Sequence, residues 1–309
     1  MEHHDIVVIG GGPAGLALAM ELDALGIKDV VVMEREPEAG GIPRHCGHMG
    51  FGIDNKKRFL TGPKLANQLC ELVKGLDIRT GTTVLEFNIR SAMRIHSASG
   101  ISEISATRII LATGTRESSR AARLIGGQRL PGVMNTGTFQ QLVYLKNQKP
   151  FLRPVIIGSE WVSFSSLLTC RHAKIKPVCM ITENEKLDAP NYFGLGAKLA
   201  FGVPVKRNTK LLAIHGKTHV ESIDVETNGQ KETILCDGVI ITGKFRSENA
   251  LYSTGFIEQE KTAPKTAELF RTSKPNIYAV GNVLGHLETA GACMLQGRKL
   301  AAMIASDMK

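Results

Sequence analysis

The sequence holds no apolar run long enough to span a bilayer. A transmembrane helix needs roughly 20 such residues in a row, so none is expected. It does not open as a secretory signal does. Met1-Glu2-His3-His4-Asp5 leads straight into an apolar strand, without a basic start or a small-residue cleavage site. No two of its six cysteines (Cys46, Cys70, Cys170, Cys179, Cys236 and Cys293) form a CxxC pair. Scattered cysteines in a chain without a leader point to a reducing compartment, and the expected location is the cytoplasm. Aromatic residues are few, at 5% with a single tryptophan, Trp161. Blocks of like charge interleaved with aromatics are missing too, so the net charge of +9 is not read as a nucleic-acid footprint. Solubility, or attraction for anionic cofactors, is the reading left.

What is present is the balance of a globular protein with a core: 309 residues, 43% hydrophobic and 22% charged. That length predicts one large or two ordinary domains. The clearest pattern is DIVVIGGGPAGLALAMELDALGIKDVVVMERE, from Asp5 to Glu36. Ile6 to Ile9 read as a buried parallel strand. Gly10, Gly12 and Gly15 form GxGxxG, a helix pattern runs on to Gly26, and Val30 to Met33 read as the next strand. Gly10 serves the tight turn, Gly12 the close approach of backbone to a pyrophosphate, and Gly15 the packing of helix on strand. The helix start offers unpaired N–H groups and a partial positive charge. Glu34 stands about 20 residues beyond the glycines, where an acid can bond an adenosine ribose.

A looser copy begins at Pro154 and runs to Glu183: a strand at Val155 to Ile157, the turn glycine Gly158, and a strand at Val178 to Ile181. Later segments also match. TRIILATGTRESSR (Thr107 to Arg120) resembles CDGVIITGKFRSENA (Cys236 to Ala250). Strand patterns at Val84 to Ile89 and Met93 to Ser97 precede the first; Leu211 to His215 and Val220 to Val225 precede the second. The expected fold is therefore α/β, with two Rossmann-like dinucleotide-binding domains and the second inserted into the first. The expected boundaries are 1–118, 119–244 and 245–309, the outer two forming one domain.

Gly10-Gly11-Gly12-Pro13-Ala14-Gly15, Glu34, Ala112-Thr113-Gly114 and Asn276-Ile277-Tyr278-Ala279-Val280-Gly281-Asn282 resemble the flavoproteins with two dinucleotide-binding domains, the pyridine nucleotide-disulfide oxidoreductase-like superfamily. Further segments resemble the flavin subunits of opine oxidases, cyanide synthases and dye-linked amino-acid dehydrogenases. These are GGIPRHCGHMGFG (Gly40 to Gly52), LTGPKLA, ATGTRE, RLPGVMNTGTFQQL and GNVLGHLETAGACMLQGR. The resemblance implies an FAD-dependent oxidoreductase acting on amine, opine or amino-acid C–N bonds, or relaying their electrons. It implies FAD held by Gly10, Gly12, Pro13, Ala14, Gly15, Glu34, Arg35, Gly41, Ala112, Thr113, Gly114, Gly281, Asn282, Thr289 and Ala290. The helix that opens near Thr289 would turn its positive end to the flavin pyrimidine. The resemblance also implies a small-molecule substrate, an oligomeric assembly, and a companion polypeptide carrying flavin or an iron–sulfur cluster. Any cluster would have to come from that other polypeptide, because the cysteine-rich continuation of many relatives does not follow in this sequence.

The broader class usually has Asp where Asn282 stands; an amide still donates and accepts hydrogen bonds, so this reads as a subfamily feature and not as loss of FAD. In the second copy Glu160 and Ser163 replace glycines, and Glu160 brings bulk and negative charge to the place of a pyrophosphate. NAD(H) binding there is doubtful, although Glu183 would suit NADH over NADPH. Two other functions stay open: an NADH-dependent flavin reductase or diaphorase, and a non-catalytic FAD-stabilised scaffold.

Cys46 lies between His45 and His48. Its nearest cysteine in sequence is Cys70, so a dithiol that stores two electrons is not expected, and neither is a disulfide reductase. Zinc held by His45, Cys46 and His48 would be cramped, and no metal is expected. Two readings remain. In one, Arg44, His45 and His48 lower the thiol and make Cys46, His45 and His48 catalytic. In the other, this stretch is a hydrogen-bonded wall. Arg44 and Arg116 read as solvated turn arginines, Trp161 as core or interface, and Cys170 and Cys179 as buried fillers.

Overall fold

The computed structural model describes residues 2–51, 59–88, 92–267 and 270–308. Gly52 and Ile89, named above, lie outside the described residues. Apart from short pieces, the chain builds β1 (Glu2–Ile9), α1 (Pro13–Ala24), β2 (Val30–Met33), α2 (Gly62–Leu72), β3 (Asp77–Arg79), β4 (Thr83–Phe87), β5 (Ala92–Ser97) and β6 (Gly100–Leu111). It continues through β7 (Val133–Asn135), α3 (Thr136–Lys146), β8 (Pro154–Ile157), α4 (Trp161–His172), β9 (Cys179–Ile181), α5 (Tyr192–Phe201) and β10 (Val205–Lys206). Then come β11 (Thr209–His215), β12 (Ser222–Thr227), β13 (Gln230–Leu235), β14 (Gly238–Ile241), β15 (Ile277–Ala279) and α6 (Ala290–Asp307). Two compact units result. The first comprises Met1–Arg44, Met49–Arg116 and Arg246–Lys309; the second comprises His45–His48 and Glu117–Phe245.

The first unit is built on a sheet of order β3-β2-β1-β6-β5-β4, with β15 also on β6. β1 pairs parallel with β2 and β6. Both faces of β1 are covered, which is why Ile6 to Ile9 read as an unbroken apolar run. Val7, Ile9, Val31 and Leu111 enter one core layer with Tyr252 and Val283. Ile6, Val8, Val32 and Ile110 enter the other, beneath Leu18 and Leu22 of α1 and Leu300 and Ile304 of α6. Each fully buried side chain of this kind contributes about 1.5–3 kcal/mol. β6 is longer than its sequence pattern suggested, because its first half pairs antiparallel with β5 and its second half parallel with β15. α1 and α6 cross closely at Gly297, where a Cβ would lie 2.4 Å from the Ala14 carbonyl oxygen.

The second unit has a five-stranded sheet of order β7-β14-β8-β9-β10, parallel throughout, and a three-stranded antiparallel sheet, β11-β12-β13. β8–α4–β9 repeats the plan of β1–α1–β2. One face packs Ile156, Met180 and Ile240 against Phe139 and Phe164. The other packs Val155, Ile157 and Ile241 against Ile214, Ile223 and Val225 of the antiparallel sheet. Val220 is buried but precedes β12, which starts at Ser222. Cys170 and Cys179 are buried fillers. Trp161 is not core: it is 60% exposed and meets Phe193 edge-on.

Candidate functional site

The turn between β1 and α1 is shaped by the chain's own backbone. A Cβ on Gly10, which has φ +114°, would lie 2.4 Å from the Ala112 carbonyl oxygen, and one on Gly15 would lie 2.1 Å from the Gly10 carbonyl oxygen. A side chain at either position would force the backbone to shift, whatever binds there. Gly12 differs: the nearest atom to its would-be Cβ is the Gly41 Cα at 3.9 Å. Gly12 is also the N-cap of α1, with no side chain capping the helix and Pro13 following it. The first turn of α1 therefore offers N–H groups without intrahelical partners, above open space. That is a cradle for a phosphate.

The first unit also holds the other candidate cofactor contacts. Glu34 is buried and accepts from the backbone N–H groups of Gly11 (2.8 Å) and Glu36 (2.8 Å), which fixes its carboxylate at the end of β2. Gly41, with φ +62°, closes against Gly12; a Cβ there would come within 2.9 Å of the Gly12 Cα. Arg35 faces the Glu248 carboxylate at 3.6 Å and Arg116 faces it at 3.7 Å. Thr113 donates from its hydroxyl to the Glu248 carbonyl (3.0 Å), and the Glu248 N–H donates to the Gly114 carbonyl (2.9 Å). Glu248 therefore holds this corner, and no sequence motif marked it.

Gly281 follows β15 with φ +79°, beside Ala14 of α1. Asn282 uses both ends of its amide. Its Oδ1 accepts from the Glu288 N–H (2.8 Å) and from the Cys293 thiol (3.4 Å), while its Nδ2 donates to the Glu288 carbonyl (3.3 Å). A carboxylate would have no donor for the last contact. The structure thus gives Asn282 a reason to be an amide: it pins the loop that leads into α6. Thr289 caps α6 by accepting from the Ala292 N–H, and the first-turn amides of Ala290 and Gly291 have no partner within the helix.

His45, Cys46 and His48 belong to the second unit. Cys46 is buried, and its thiol donates to Gln140 Oε1 of α3 at 3.4 Å. Gln140 in turn donates to Ser165 (3.0 Å) and Thr169 (3.4 Å) of α4. Gly47 lies on the Tyr144 ring, so closely that a Cβ would sit 2.2 Å from it. Of the two readings of this stretch, the lowered thiol is the one that burial opposes. Burial, reinforced by the Glu117 carboxylate, pushes Cys46 up to about 12. Arg44 is corrected as well: only 11% of its side chain is exposed, and it pairs with Glu38 at 2.7 Å. Among the described residues, no group of three His, Cys, Asp or Glu is placed to hold a metal ion, and no helix is long and apolar enough to cross a membrane.

Sequence reasoning assigned no role to Glu117, the last residue of ATGTRE. Buried in the second unit, it accepts from the Gly137 N–H at the start of α3 (2.9 Å) and from the Gly243 N–H (2.9 Å).

Comparison with known proteins agrees with this architecture. The chain is 26% identical over 344 residues to the opine oxidase A subunit of Agrobacterium tumefaciens (strain Ach5), covering 100% of this chain and 66% of that protein. It is 26% identical over 342 residues to the opine oxidase A subunit of Rhizobium meliloti, covering 99% of this chain and 63% of that one. It thus spans about two thirds of the length of these relatives. The solved thioredoxin reductase of T. acidophilum superposes with a TM-score of 0.82 at 22% identity, over 100% of this chain and 99% of the other, a likeness of fold. The family model for pyridine nucleotide-disulphide oxidoreductase matches residues 4–297. The chain therefore belongs to that family of FAD-dependent flavoprotein oxidoreductases.

Proposed function

We propose that the protein oxidises the C–N bond of an amine, an opine or an amino acid, or relays the electrons from such an oxidation, and that it is not a disulfide reductase. One observation carries the reading. The first unit's glycine-rich turn suits an FAD cradle, yet all six cysteines are free, and the one in the glycine-rich stretch gives its S–H to Gln140. A disulfide reductase of the dithiol type stores two electrons in a cysteine pair between cofactor and substrate. The likeness to the two opine oxidase polypeptides supports the substrate class. Both of those relatives are named as subunits, which supports a companion polypeptide, flavin or iron–sulfur, as partner.

Bound FAD supplies an acceptor for two electrons. The chain's own residues would hold it: the α1 start and Glu34 at the ADP half, the Gly281–Asn282 turn and the α6 start at the other. Amine oxidation removes a hydride from carbon and a proton from nitrogen, leaving an imine that water hydrolyses. The proton is assigned to His45 or His48. Cys46, protonated and hydrogen-bonded, is assigned to the wall.

Anaerobic titration with opines, secondary amines and amino acids, following flavin absorbance, tests this. One of these classes should bleach the flavin, or should do so once the companion polypeptide is added. Reduction of thioredoxin or of a low-molecular-weight disulfide at the expense of NADPH would overturn it.

A further inference from the structure

The second unit repeats β1–α1–β2 as β8–α4–β9, and the family uses FAD together with NAD(P)H. A nicotinamide dinucleotide would lay its pyrophosphate over Gly158 at the start of α4, next to the loop after β14. That space is filled by this chain. The Glu160 carboxylate folds back over its own helix start. Its Oε2 accepts from the Ser159 N–H (3.1 Å), the Ser163 hydroxyl (2.9 Å) and the Thr242 hydroxyl (3.1 Å). Ser163 returns a bond by accepting from the Glu160 N–H (3.1 Å), closing a capping box. The fit between the two loops is tight. A Cβ on Gly158 would lie 2.5 Å from Oε2, and one on Gly243 would lie 2.1 Å from Oε1.

The same crevice holds a second carboxylate. Glu117 takes the Gly243 N–H and the first-turn N–H of Gly137 in α3. Gly243 is thus flanked by Glu117 on one side and Glu160 on the other. Arg123 is turned to the Thr242 carbonyl at 2.6 Å. The positive end of α4, which in a dinucleotide fold would meet a phosphate, is already neutralised from within. An incoming pyrophosphate would have to displace three hydrogen bonds and then lie against the acidic side chains of Glu160 and Glu117, the second pushed up by burial. Glu183, the acid in place to meet an adenosine ribose, remains exposed at the end of β9. The crevice is therefore a nucleotide site in plan, closed at its centre.

We infer that the second dinucleotide fold does not take NADH or NADPH, and that Glu160 is the specificity-determining residue that closes it by standing in for the pyrophosphate. The electrons that reduce this flavoprotein then come from a donor other than a pyridine nucleotide. The inference concerns the second unit alone and stands whether or not the donor is a C–N compound.

Calorimetric titration of the FAD-bound protein with NADH and with NADPH, paired with saturation-transfer NMR of the nicotinamide protons, reads binding without any redox step. The wild-type protein should show no binding up to millimolar concentration. Glu160→Gly should gain at least ~100-fold in NADH affinity, which at about 1.4 kcal/mol per tenfold is about 2.8 kcal/mol. Glu160→Ser keeps an N-cap acceptor, so α4 still starts correctly; it should gain at least ~10-fold. Micromolar binding by the wild type overturns the inference, and so does a folded Glu160→Ser that binds no better than wild type.

Discussion

Gly12 and Gly15 sit three residues apart in one motif, yet the structure gives them separate jobs that two alanine substitutions should pull apart. A Cβ on Gly15 would meet the Gly10 carbonyl oxygen at 2.1 Å and Val8 Cγ1 at 3.2 Å. α1 would have to lift off β1 by about 1 Å. Overpacking of that kind costs about 1–3 kcal/mol, and the helix preference of alanine over glycine returns at most about 1 kcal/mol. Gly15→Ala should therefore destabilise the protein even when stripped of flavin. At Gly12 the backbone is one that alanine adopts, with φ −84° and ψ −175°, and the new methyl meets only the Gly41 Cα at 3.9 Å. The apoprotein should lose at most about 1 kcal/mol, the difference between glycine and alanine as an N-cap. The methyl does stand where a phosphate must approach. Losing one amide-to-phosphate hydrogen bond, worth about 1.5–3 kcal/mol, weakens FAD binding by about 10- to 100-fold. Thermal melts of the two apoproteins by circular dichroism, and titration of each with FAD by fluorescence quenching, check both halves. Wild-type FAD affinity in Gly12→Ala, or a wild-type melt of the Gly15→Ala apoprotein, would refute the division of labour. Gly12→Glu, which adds negative charge as well as bulk, should purify colourless.

Asn282→Asp removes the donor to the Glu288 carbonyl and sets a carboxylate oxygen against it. The loop before α6 should loosen by about 1 kcal/mol, visible as faster amide exchange at Glu288 and weaker flavin retention; unchanged exchange would mean that the amide is not the pin. For Cys46 the sign is simple: a thiol pushed up to about 12 stays protonated at pH 8, where its thiolate fraction is of order 10⁻⁴. Iodoacetamide should label the half-buried Cys70 well before Cys46, as peptide mass mapping over time would show. Rapid labelling of Cys46 would restore the thiolate reading.

The strand–glycine turn–helix at the N-terminus was legible because every element of it is local. Ile6 to Ile9 announce a strand covered on both faces, and Gly10, Gly12 and Gly15 announce a turn with steric demands. The second copy was legible in outline for the same reason, through Gly158 and the apolar runs of β8 and β9. Glu248 was not legible, because what it holds, Arg35, Thr113 and Arg116, is far away in sequence. Glu117 was hidden likewise. Nothing at position 117 says that its carboxylate will reach amides at Gly137 and Gly243. Cys46 misled for a related reason. Three neighbouring cationic side chains suggested a lowered thiol, but the chain carries this turn against α3 and α4, where burial decides.

The order of elements, the duplication and the glycine-rich turn are set by the residues alone, since they follow from apolar periodicity and from glycines whose requirement is built into short-range backbone geometry. The conflict at Glu160, bulk and charge in a phosphate's place, is equally plain in one dimension. Its resolution belongs to the folded chain. Thr242 and Gly243, about 80 residues further along, supply a hydroxyl and a gap that let the carboxylate fold inward as a cap. The energy of a charge depends on its partners, and those partners are brought together by folding.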